Sequence, residues 1–88
     1  MPLLLYTRPG CPLCDEMKAE LARARVREPF VLVEVNIESD PELLRRHARS
    51  IPVLEIAGRV AFKGHLCAAD FERKFARLAR QRPGAARG

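Results

Sequence analysis

The sequence predicts an α/β domain in the order βαβαββα, a four-stranded mixed sheet with helices on both faces. Three observations carry this. Apolar and β-branched runs of strand length occur at residues 3–6, 30–35 and 51–56. The stretches that follow them repeat apolar residues every three or four positions, the period of a helix with one buried face. A glycine-containing turn, Ala57-Gly58-Arg59, joins the third run to Val60-Ala61-Phe62 as a hairpin.

Taken in order, Leu3-Leu4-Leu5-Tyr6 has four consecutive apolar side chains, which suits a strand covered on both faces. Residues 12–25 turn helical, with Cys14, Met17, Leu21 and Ala24 on one stripe and charges between them. Pro29 ends that helix and opens the β-branched run Phe30-Val31-Leu32-Val33-Glu34-Val35. Residues 36–39 are expected as a loop. Asp40 and Pro41 form an N-cap and first-turn pair, and Leu43, Leu44 and His47 mark the buried stripe of a short helix. The third strand, residues 51–56, tolerates Pro52 because a missing donor does no harm at a strand start. Gly64 closes the fourth strand, and a last helix over 68–80 carries Phe71, Phe75 and Leu78 on one face. The first half is then a right-handed parallel crossover, and the second an antiparallel hairpin with a covering helix. Residues 1–82 make the single domain. Residues 83–88 lack apolar periodicity and are expected as a flexible tail.

Composition narrows the function. With 88 residues, 48% apolar and 31% charged, the chain has enough apolar content for one small core and too much for a disordered polymer. Its apolar runs are strand-sized, so no membrane span is expected, and the N-terminus has no secretory-signal pattern. An odd count of three cysteines argues against a fully paired extracellular scaffold, making a reducing cytoplasm the expected compartment. The net charge of +5 raises nucleic acid as a partner. With aromatics at 6% and no tryptophan, however, stacking platforms are scarce, and the charge reads as a solubility feature.

The chemistry concentrates in Cys11-Pro12-Leu13-Cys14, behind the first strand and the turn Thr7-Arg8-Pro9-Gly10. Pro12 fits a first helical position, where its absent N–H has no intrahelical partner anyway. Cys11 then sits at the helix start, where unpaired N–H groups and the positive end of the macrodipole favour a thiolate. Cys14 falls one turn deeper, within reach of a mixed disulfide at Cys11. Two other readings use the same residues. Both cysteines could be inert core residues, or Cys11, Cys14, His65 and Cys67 could form a Cys₃His zinc site, although a two-residue His65–Cys67 spacing is unusual for one.

From Tyr6 to Cys14, and again at Lys18, the chain resembles the glutaredoxins: a strand ending in tyrosine, a basic residue three before the first cysteine, C-P-x-C, and a lysine four after the second. Arg49-Ser50-Ile51-Pro52-Val53-Leu54 is similar to the segment that carries the cis-proline of thioredoxins and glutaredoxins. Together these cover residues 3–80, and the nearest likeness is to small bacterial glutaredoxin-like proteins with the thioredoxin fold. The departures are Leu13 in place of an aromatic residue, and Lys63-Gly64-His65 in place of a Gly-Gly step and acidic pair. Thioredoxin's own Trp-Cys-Gly-Pro-Cys is absent.

The resemblance implies a thiol–disulfide oxidoreductase with Cys11 as nucleophile and Cys14 as resolving thiol. It implies substrate contacts from Arg8, Pro12, Leu13, Ile51 and Pro52, with Pro52 cis and the Ile51 backbone beside the cysteines for strand-like pairing. Lys18 and His65 are candidates for tuning a thiolate, Tyr6 for placing its hydroxyl near the site, and Cys67 for a small buried residue. The expected substrate is a protein or glutathione mixed disulfide. No resident cofactor or metal is expected, and electrons come from glutathione or a thioredoxin-reductase-like flavoprotein. The protein is expected to act as a monomer, without nucleic acid or membrane partners. The competing function is a non-catalytic thioredoxin-fold module that uses the cysteines for redox sensing or zinc binding.

Overall fold

Alternation along the first strand sets the architecture. A computed structural model of the chain describes residues 1–81, so the expected tail at 83–88 lies outside the described residues. In strand β1 (Pro2–Thr7), Leu3 and Leu5 are fully buried, while Leu4 and Tyr6 on the other face are only half-buried. That corrects the expectation of equal cover on both faces. The remaining elements are α1 (Pro12–Arg23), β2 (Val31–Asn36), a 3₁₀ turn over Ile37–Ser39, α2 (Pro41–His47), β3 (Val53–Ile56), β4 (Arg59–Lys63) and α3 (Ala68–Gln81).

The sheet has four strands in the order β2-β1-β3-β4. β1 runs parallel to β2, with Leu3 opposite Leu32 and Leu5 opposite Glu34. It runs antiparallel to β3, with Leu5 opposite Leu54 and Leu3 opposite Ile56. Leu3, Leu5, Leu32, Leu54 and Ile56 share one face and pack with Met17 and Leu21 of α1 and Phe71 and Phe75 of α3. Phe30 meets Phe71 and Phe75 edge-on, each with ring centroids 5.6 Å apart, adding aromatic contact to area burial. The core therefore lies between the sheet and the α1–α3 layer.

Short-range chemistry fixes the ends of the elements. Asn36 Oδ1 accepts from the Glu38 N–H at 2.9 Å and closes the 3₁₀ turn where a plain loop is expected. Asp40 Oδ1 accepts from the Glu42 N–H at 2.9 Å, and Pro41 follows, as the N-cap expectation requires. The β3–β4 turn takes positive φ at both Ala57 (52°) and Gly58 (85°), the twist that suits a two-residue hairpin. Glu20 Oε1 accepts from the Ala68 N–H at 2.8 Å, and Glu72 Oε2 from the Arg25 N–H at 2.7 Å. These two bonds tie α1 and the loop after it to α3.

Two further expectations change. The third strand begins at Val53, and the Ile51–Pro52 peptide bond before it is cis. α2 has no fully buried residue: Leu44 is exposed, and Leu43 and His47 are half-buried. A helix of seven residues is too short to cover the outer sheet face, which leaves Val31 and Val33 exposed. Among the described residues no helix is long and apolar enough to cross a membrane.

Candidate active site

Three chain segments meet at one end of the sheet. β1 ends there at Thr7 and leads to Cys11; β3 begins there, with Val53 opposite Tyr6; β4 ends there, with Lys63 opposite Val53. Pro52 and Gly64 are the next residues outward at this same end of the sheet. The Gly64 N–H donates to the Pro52 carbonyl at 2.7 Å, joining the β4–α3 loop to the cis-proline. Gly10 holds a φ of 72°, a left-handed conformation that glycine adopts without a Cβ clash, and so turns the chain into α1.

Cys11 is the N-cap of α1 and Pro12 its first helical residue. The Cys14 N–H donates to Cys11 Sγ at 3.1 Å, so an orphan donor of the helix start points at the sulfur. The two cysteines are joined as a disulfide with Cα atoms 5.2 Å apart. Their surroundings differ: Cys11 is partly exposed, whereas Cys14 retains 2% of its surface and faces the core beside Met17. The inert-core reading thus fails for Cys11.

Leu13 stands between them with half its surface exposed, an apolar platform beside the outer sulfur. Two grooves lie along α1, one of them lined by the pair. One, of about 260 Å³, is lined by Arg8, Cys11, Cys14, Lys18 and Glu34. The other, of about 400 Å³, runs between α1 and the β4–α3 loop and is lined by Leu13, Met17, Gly64, His65 and Cys67.

Several candidate residues have other partners. Arg8 makes an ion pair with Glu38 at 3.0 Å. Lys18 reaches Glu34 at 3.2 Å and Asp15 at 3.6 Å, and its pKa is raised, first by the hydrogen bond to Glu34 and then by that carboxylate's charge. Tyr6 donates to Glu55 Oε2 at 3.2 Å and stacks on His47 with centroids 4.5 Å apart, on the sheet face away from α1. Its hydroxyl therefore belongs to β3 rather than to the cysteine turn. Burial, and next the charge of Glu55, push the Tyr6 pKa up. The Ile51 N–H donates to the His47 carbonyl at 3.1 Å, so one of the two main-chain groups expected for strand-like pairing is committed inside the fold. Cys67, expected to be buried, is partly exposed, and its Sγ accepts from the Asp70 N–H at 3.4 Å. Among the described residues no three His, Cys, Asp or Glu side chains gather into a metal-binding group, so the Cys₃His arrangement is not assembled.

Glu34 and Glu38 were not singled out from the sequence, yet they hold the two cations nearest the cysteines. Glu34 had a readable signal. It interrupts the apolar run of β2 at the parity of Leu32, the core-facing position.

Comparison with known proteins agrees with this geometry. The family described as Glutaredoxin-like domain (DUF836) matches residues 2–76. The X-ray structure of a Northeast Structural Genomics target protein from X. campestris is similar, with a TM-score of 0.71 and 30% sequence identity. The match covers 85% of this chain and 96% of that one, and the fold is thioredoxin-like. No curated protein matches the chain.

Proposed function

The chain belongs to the glutaredoxin-like (DUF836) family, and from that membership we propose that it is a dithiol–disulfide oxidoreductase acting on protein disulfides. The observation that carries the reading is the asymmetry of the pair: Cys11 is the accessible N-cap sulfur with the Cys14 N–H aimed at it, and Cys14 is buried one turn behind. In the reduced protein that N–H and the helix start stabilise a Cys11 thiolate.

The Cys11 thiolate attacks one sulfur of the substrate disulfide, forming a mixed disulfide and releasing the other sulfur as a thiolate. Cys14, on losing its proton, attacks Cys11 Sγ, breaks the mixed disulfide and expels the second substrate thiolate. The substrate gains two electrons and two protons, and the enzyme is left with the Cys11–Cys14 bond. Two glutathione molecules, becoming glutathione disulfide, or the dithiol of a thioredoxin-reductase-like flavoprotein, restore the dithiol. Leu13 offers apolar contact to the segment around the substrate disulfide. Pro12 shapes the turn, and the sheet end that carries Pro52 receives the extended chain, with the Ile51 carbonyl left for pairing. Arg8 binds a substrate carboxylate by exchanging it for Glu38.

The odd cysteine count and transient disulfide suit a reducing cytoplasm, where the protein acts as a monomer in redox homeostasis, without nucleic acid or membrane partners. Cys11→Ser is expected to abolish insulin-disulfide reduction, and Cys14→Ser to accumulate a mixed disulfide detectable by mass. Full activity in Cys11→Ser would overturn the assignment. A coupled assay with glutathione and glutathione reductase, run beside one with thioredoxin reductase, identifies the electron donor.

A further inference from the structure

At the end of the molecule away from the cysteines, the loop after α1 and the second half of α3 enclose a groove of about 510 Å³. α1 begins at the cysteine turn and α3 shortly after Gly64, so residues 25–28 and 75–80 lie at the far ends of both helices. The groove's apolar floor is Val26, Phe75, Ala76 and Ala79. Phe75, Ala76 and Ala79 follow helical spacing and share one side of α3. The two alanines keep the groove open where longer side chains would fill it.

Its rim is Arg25, Arg27 and Arg80. No guanidinium of the three has an ion-pair partner among the described residues. Two carboxylates, Glu28 and Glu72, also line the groove, and both already have a partner. Glu72 accepts from the Arg25 backbone N–H at 2.7 Å, and Glu28 stands 4.0 Å from the N-terminal ammonium. An apolar floor beneath three guanidinium groups that have no ion-pair partner among the described residues, against two partnered carboxylates, complements a ligand with an apolar body and an anionic head.

We propose that this groove binds a small carboxylate with an unbranched hydrocarbon chain, at a site separate from the redox centre. Guanidinium forks match a carboxylate in two-point geometry. The volume falls in the small-molecule class of roughly 300–1,000 Å³. A protein partner instead buries roughly 800 Å² on each side, more than so local a groove presents. The inference stands on charge and shape at this end of the molecule and does not depend on the thiol chemistry.

Sodium decanoate, kept below its micelle concentration, is the probe, and amide chemical shifts of the full chain are the readout. Saturable shifts confined to residues 25–28 and the second half of α3 are expected, with decanol and butyrate each at least about tenfold weaker. Arg25→Gln combined with Arg27→Gln is expected to weaken decanoate about tenfold, since each removes one charge-assisted contact. Ala79→Leu, a substitution between good helix formers, is expected to abolish binding by filling the floor. Both variants should leave the Cys11–Cys14 chemistry unchanged. Shifts scattered over the surface, equal binding of decanol, or undiminished affinity in the arginine double variant would each overturn the proposal. Should Ala79→Leu fold poorly, Arg80→Gln, an exposed change, tests the same rim.

Discussion

One turn of helix gives two chemically identical residues different surroundings. Cys11 lies outside the first turn and is partly exposed, whereas Cys14 lies on the α1 face that carries Met17 and Leu21 and is buried with them. The spacing made that difference legible in the sequence. The fate of the nearby charges was not, because side chains choose partners across strands. Lys18 is held by Glu34 and Asp15, so much of its charge is neutralised locally. Glu34→Gln is expected to free that charge in the groove beside Cys11, and the pH profile of Cys11 alkylation should then move to lower pH. An unchanged profile would show that Lys18 acts only as a surface tie. Tyr6 offers a second test at this scale. It is the single tyrosine of a chain without tryptophan, so tyrosinate absorbance reads it alone. Its raised pKa, caused by burial and then by Glu55, predicts a midpoint above that of free tyrosine. The sign for stability follows from the folded state holding the proton more tightly. The contribution is complete below the unfolded pKa of about 10 and is lost as pH rises through the folded value. Tyr6→Phe should therefore lose less stability than the parent chain in alkaline denaturation.

At the scale of elements, ends were easier to read than faces. Asp40-Pro41 announced α2 and the structure places the cap there, because capping depends on residues two or three apart. The buried stripe expected of Leu43, Leu44 and His47 does not form, Leu43 and His47 being half-buried and Leu44 exposed, since a seven-residue helix depends on what it lies against. α2 is held by its cap and by the His47–Tyr6 stack. Asp40→Ala is expected to cost about 1 kcal/mol, read as a lower denaturant midpoint with an unchanged slope. The β3 start shifted for a different reason. The Ile51 N–H is bonded to the His47 carbonyl at the end of α2, so the ladder begins two residues later at Val53.

For the whole molecule, one core joins the sheet to α1 and α3, and the cysteine turn rests on its edge. Phe71 lies at its centre with no exposed surface, touching Phe30, Phe62 and Phe75. Phe71→Ala is expected to cost about 3–5 kcal/mol by leaving a cavity among rings that cannot close over it. The loss should appear as a large fall in thermal midpoint, with the Cys11–Cys14 chemistry intact in the folded fraction. What the sequence determined by itself is the order of the strands and helices, the hairpin turn, and the C-P-L-C pair at a helix start. Each depends on neighbours within a few positions, where periodicity, caps and proline geometry act. What only the tertiary structure decided is which face stays open, which carboxylates hold Arg8, Lys18 and Tyr6, and where Pro52 and Gly64 meet. Apart from the Asp15–Lys18 pair within α1, those depend on contacts between residues about a dozen to fifty positions apart, which packing selects and no local pattern records.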